Sequence, residues 1–170
     1  NNEGKPGDLN SSQPAISADG RYIAFSSYAT NLVPNDTNNV ADILVYDQQT
    51  HQITRVSIDS QGSPSNGNSF NPTLSSNGHL IAFESEATNL VPDDTNNASD
   101  IFLYDIDQKQ IQRVSVNSLG QPSDGNSFAP AISGDGRYIA FESLATNLSA
   151  NDTSPFSKIV VHDHLTPQTY

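Results

Sequence analysis

The sequence predicts an all-β fold of three four-stranded antiparallel repeats, and three observations carry that prediction. Gly20, Gly78 and Gly136 recur at intervals of 58 residues, and the match extends well beyond them in both directions, so one supersecondary unit is written three times in tandem. Each copy holds short runs of strand-forming residues bounded by turn residues. Only 34% of the 170 residues are apolar, and no segment sustains an apolar stripe at helical spacing. Short strands joined by polar loops suit that composition, and helix is expected to be almost absent.

In chain order, residues 1–13, 59–71 and 117–129 read as crossing loops, with Gly4, Gly62 and Gly120 in register and Pro6, Pro64 and Pro122 likewise. They feed repeats spanning about 14–58, 72–116 and 130–170. The first strand of each is expected to begin at Pro14, Pro72 or Pro130, where a missing N–H is tolerated. Asp19-Gly20, Asn77-Gly78 and Asp135-Gly136 then reverse the chain. The second strands, 22–25, 80–83 and 138–141, carry large residues on both sides of the pleat, as do the third strands, 43–46 and 101–104. Strands apolar on both faces lie between two layers. The fourth strands, 53–57 and 111–115, alternate apolar with polar residues, carry Arg55 and Arg113, and are expected to turn one face or edge to water.

Such sheets, repeated in tandem, describe β-propeller blades that pack face on face. A β-helix, the alternative, has shorter coils and no need of three reversals per repeat. The stretches 14–25, 72–83 and 130–141 follow Pro-x-hydrophobic-Ser-x-Asp/Asn-Gly-x-x-Ile-Ala-Phe, which resembles the PD40 (WD40-like) repeat of TolB-type β-propellers. The resemblance implies a propeller of six or more blades that serves as a binding platform or gates a separate catalytic domain, and it names no activity by itself. Three blades are fewer than a closed ring needs, so the chain reads as an incomplete ring or half of a six-bladed one.

The chain carries 19 Asp and Glu against 7 Lys and Arg, a net charge of -12. Nucleic acid is excluded as a partner, because a phosphate backbone needs a basic face, whereas divalent cations suit the acidic loops. The absence of Cys excludes a disulfide scaffold, a zinc-thiolate site and thiol catalysis. No segment is long and apolar enough to insert in a membrane. The first residue is Asn1 rather than Met, and export to an extracellular, cell-surface or periplasmic location is expected. Sequon-type triplets begin at Asn10, Asn35, Asn97, Asn147 and Asn151, as chance alone supplies in so Asn-rich a chain.

The loop between second and third strands lengthens these repeats. In 29–42 it places Asp36, Asn38, the carbonyl of Val40 and Asp42 at relative positions one, three, five and seven; in 87–100 the set is Asp94, Asn96, Ala98 and Asp100. That spacing resembles the start of a calcium loop and makes Ca2+ the expected cofactor, with Asp93, neighbouring loops or water completing the shell. There is no Gly at position six and no closing Glu, so the loop is not an EF-hand. The other reading is an Asx-turn whose side chains bond their own backbone. The third copy keeps Asp152 but has Ser154 and Lys158 in place of the Asn and the second Asp. Asn31, Asn89 and Asn147 are expected to satisfy loop backbone groups, and Leu32, Leu90 and Leu148 to pin the loops to the sheets.

No Gly-x-Ser-x-Gly elbow, His-Glu-x-x-His or phosphate-binding loop is present. His162-Asp163-His164 reads as a polar edge, and Glu84 and Glu142 as solvated charges or ion partners on separate repeats. The expected function is therefore that of a non-catalytic structural or interaction module. Tyr170 aligns with Thr54, so the last repeat is expected to lack part of its outer strand. Two apolar blade faces and an open edge then point to self-association as a homo-oligomeric ring or a filament. The competing classes are a ligand- or carbohydrate-binding propeller, with Tyr28 as the aromatic candidate although Glu86 and Leu144 replace it in the other copies, and a propeller fragment of a larger exported protein.

Overall fold

Each repeat folds into one antiparallel sheet whose strands follow chain order. The computed structural model describes residues 1, 3–149 and 154–170, and no helix occurs among them. The first sheet holds β1 (Ser11–Ile16), β2 (Tyr22–Ser27), β3 (Asp42–Asp47) and β4 (Gln52–Arg55). The second holds β5 (Ser69–Leu74), β6 (Leu80–Ser85), β7 (Asp100–Asp105) and β8 (Gln110–Arg113). The third holds β9 (Ser127–Ile132), β10 (Tyr138–Ser143), β11 (Lys158–Asp163) and the two-residue β12 (Gln168–Thr169). The first strand of the second blade, β5, touches both β1 and β9, which makes the three first strands the inner strands of three adjoining blades.

The first strands begin three residues earlier than the prolines suggested. Each carries a bulge, with the register shifting between Ser12 and Ala15, between Phe70 and Thr73, and on the β10 side between Ala140 and Glu142. Gln13, Asn71 and Ala129 sit at the bulges with φ of 55°, 50° and 51°. Each proline follows immediately, where the interrupted ladder does not call on its missing N–H. The reversals are also wider than two residues. The amide of Gly20 bonds to the Ser17 carbonyl at 2.9 Å with Gly20 at φ 75°, and the Asp19 carboxylate caps the turn by accepting from the Ser17 hydroxyl and the Arg21 amide.

Two apolar layers hold the blades together. Tyr22, Ala24, Ile43 and Val45 of the first sheet meet Ile81, Phe83, Phe102 and Tyr104 of the second, with the Phe83 and Phe102 rings stacked 6.0 Å apart. On the other side of the second sheet, Ala82, Ile101 and Leu103 meet Ile139, Phe141 and Val160 of the third. The side of a blade that meets the following blade is its leading face; the side that meets the preceding one is its trailing face. A fully buried Leu or Phe side chain contributes roughly 1.5–3 kcal/mol, so these two layers are the principal cohesive force between sheets that share few side-chain ion pairs.

Candidate functional site: buried ion pairs and two open blade faces

The loops proposed to hold calcium are closed by the chain's own arginines. The Asp42 Oδ1 accepts from the hydroxyls of Ser57 at 2.6 Å and Ser65 at 3.1 Å, while the Asn38 amide group donates to both of its oxygens. The Arg55 guanidinium lies 3.3 Å from Asp42 and 3.2 Å from Asp36, with Nε and Nη2 at ion-pair distance and without aligned hydrogen bonds. The second copy is tighter. Ser115, Ser123, Asn96 and Arg113 all donate to Asp100, and the same Arg113 Nη1 reaches Asp94 at 2.9 Å. The fourth strands turn one face to water as expected, through Gln52 and Thr54 and through Gln110 and Gln112, but both arginine side chains are only 8% exposed. Burial pushes the Asp36 and Asp94 carboxyls above the usual aspartate value, against the pull of the arginines.

These residues do not fit a calcium ion. Four donors already fill the roughly four acceptor positions of the Asp100 carboxylate. Asn38 and Asn96 turn their amide nitrogens toward the carboxylates and their oxygens toward the amides of Val40 and Ala98, at 3.4 and 3.0 Å, which is the Asx-turn. No group of three acidic or His side chains suited to a metal occurs among the described residues. Asp152 lies outside the described residues. At the third copy the cation is built in, for the Lys158 ammonium donates to the Ala145 carbonyl at 2.8 Å.

The other recurring residues tie this loop to the crossing loop and to the sheet. Asn31 accepts from the Asp8 amide and donates to the Pro6 carbonyl; Asn89 does the same with Asn66 and Pro64, and Asn147 with Asp124 and Pro122. Leu32, Leu90 and Leu148 are buried, as expected of pins. The His162-Asp163-His164 stretch is no edge cluster. His162 is 4% exposed and bonded to Thr169, Asp163 is held by Arg137, and His164 reaches Gln112. Desolvation pushes the His162 pKa down, so the ring is neutral near pH 7.

The residues that stand out are those the third repeat leaves exposed. Ile159 is 68% exposed, whereas its counterparts Ile43 and Ile101 are fully buried. Tyr138, on the same leading face, is 39% exposed. At the opposite end, Ile16 on the trailing face of the first blade is 61% exposed, while its counterparts Leu74 and Ile132 pack on the two apolar layers. Phe25 is half-buried where Phe83 and Phe141 are buried. The described blades thus leave apolar residues exposed on the leading face of the third and the trailing face of the first, although Leu44 on the latter is covered by Leu32 and Val33 of its own loop.

A search of solved structures finds this architecture in known propellers. Over 95% of this chain and 48% of its own, a TolB-type protein from Agrobacterium tumefaciens is similar at 18% identity and a TM-score of 0.60. An oligogalacturonate lyase in complex with manganese is similar over 97% of this chain and 42% of its own, at 15% identity and TM-score 0.61. The β-propeller domain of the trilobed protease from Pyrococcus furiosus matches over 97% of this chain and 43% of its own, at 13% identity and TM-score 0.56. No family model matches the sequence, and no curated protein does. The chain has the TolB-type β-propeller fold, three blades of it, and spans less than half the length of each of these neighbours. They include enzymes as well as TolB, so the fold leaves activity open.

Proposed function

We propose that this chain is a non-catalytic interaction module whose partner is a second copy of itself, the leading face of one third blade packing on the trailing face of the other first blade to close a ring of six. The observation that supports it most is the exposure of Ile159 beside full burial of Ile43 and Ile101. One side chain at one repeat position is core at both internal junctions and bare at the end, and Ile16 repeats the pattern on the face it would meet. Two copies related by a two-fold axis make both missing junctions at once, which satisfies all four end faces and leaves no open filament end. Light scattering tests this. The wild-type particle should have twice the mass of the chain, and Ile159→Asp, a change at an exposed position, should give a folded monomer. A wild-type monomer at high concentration would overturn the reading.

A further inference from the structure

The inner strands of adjacent blades are joined by a hydrogen bond whose acceptor changes from junction to junction. At the bulge of β5 the Asn71 amide donates to Gln13 Oε1 of the preceding blade at 3.0 Å. At the bulge of β9 the Ala129 amide donates instead to the Glu84 carboxylate of the preceding blade at 2.8 Å. The bulge leaves this N–H out of the ladder, and its neighbour in the ring takes it up in both cases. The acceptor follows the sequence. Position 26 is Ser, whose hydroxyl donates to the Ser69 carbonyl and leaves the bulge to Gln13, whereas position 84 is Glu and reaches it directly.

Position 142, the next in this series, is again Glu, on β10 of the third blade. It lies on the uncovered leading face with Tyr138 and Ala140, half-buried, and its carboxylate has no partner among the described residues. The bulge residue facing outward at the other end is Gln13, exposed and at φ 55°. We infer that Glu142 accepts the backbone N–H of Gln13 in a second copy, so that the carboxylate sets the register with which the two copies meet. This rests on the ring proposed above and assigns to it one specific contact. A second series of junction bonds runs in the opposite direction, from preceding to following blade: Ala18 N donates to the Ser76 carbonyl and Ser76 N to that of Gly134. Gly134 N and the Ala18 carbonyl are the pair left to meet across the copies.

The contact is tested by measuring the dissociation constant of the wild-type assembly and of Glu142→Ala, together with the exchange rate of the Gln13 amide. A hydrogen bond to a charged group contributes about 1.5–3 kcal/mol and the ring contains this one twice, so the variant should dissociate at least about one hundred-fold more readily. The monomer should unfold at an unchanged temperature, because Glu142 holds nothing in the single chain. The Gln13 amide should exchange slowly in the wild-type assembly and fast in the variant, a change that general loss of interface packing would not confine to one residue. Wild-type assembly with Glu142→Ala equally tight and Gln13 equally protected would overturn this contact and leave the ring standing. Failure of the wild-type chain to assemble would overturn both.

Discussion

Asp47 and Asp163 close equivalent corners, each accepting a paired hydrogen bond from the arginine that opens the second strand, Arg21 or Arg137. Those guanidiniums hold both carboxyls well below the usual carboxylate range. A depressed folded-state value adds stability that is fully present above the unfolded value of 3.8 and is lost progressively as the pH falls from there through the lower folded-state value. Asp36 and Asp94, raised by burial, work with the opposite sign and are relieved by acid. Asp163→Asn should therefore lower the melting temperature at pH 7, with the gap to wild type closing below about pH 3.8; a constant gap in melting curves from pH 7 to 2 would refute the pairing. Arg113→Met strands two buried carboxylates, so chemical denaturation should show a loss of about 3–5 kcal/mol. Millimolar calcium or chelator should leave wild-type melting unchanged. The carboxylates and their spacing were legible in the sequence, but their cation was not: Arg113 stands 13 residues from Asp100 and meets it only because β8 folds back beside β7. A strand bearing Arg in register with each paired Asp was the signal available.

At the scale of the element, the three-fold repeat made strand number and order readable, because recurrence filters out local accident. Boundaries were harder, since the proline that looked like a strand start follows a bulge, and a bulge depends on the partner strand as much as on its own residues. Ala129 shows the cost. It occupies φ 51° where Gln13 and Asn71 sit at 55° and 50°, and a left-handed conformation costs an L-residue roughly 1–2 kcal/mol. Glycine has no such penalty, although its greater freedom when unfolded returns part of the gain. Ala129→Gly is expected to raise stability by up to about 1 kcal/mol by urea denaturation, since the side chain is exposed and nothing is lost with its methyl group. A destabilised variant would mean that the bulge is held by packing of that methyl.

For the whole molecule, the apolar residues exposed on the third and first blades matter more than any loop, because their counterparts Ile43, Ile101, Leu74 and Ile132 are what joins the described blades. If two copies close one ring, joining them by a flexible linker turns association into an intramolecular step at high effective concentration. Such a tandem fusion should remain a single particle of its own mass, with Ile159 and Ile16 shielded in both halves. Its melting temperature should not vary with protein concentration, while that of the single chain should rise with concentration, because assembly stabilises the folded state by mass action. Adding Ile159→Asp to one half should open one of the two junctions and bring back pairing between fusions. The decisive observation is the particle mass by light scattering. A fusion that grows into larger particles would show that the faces meet at an angle that does not close, and the ring would give way to an open chain of blades.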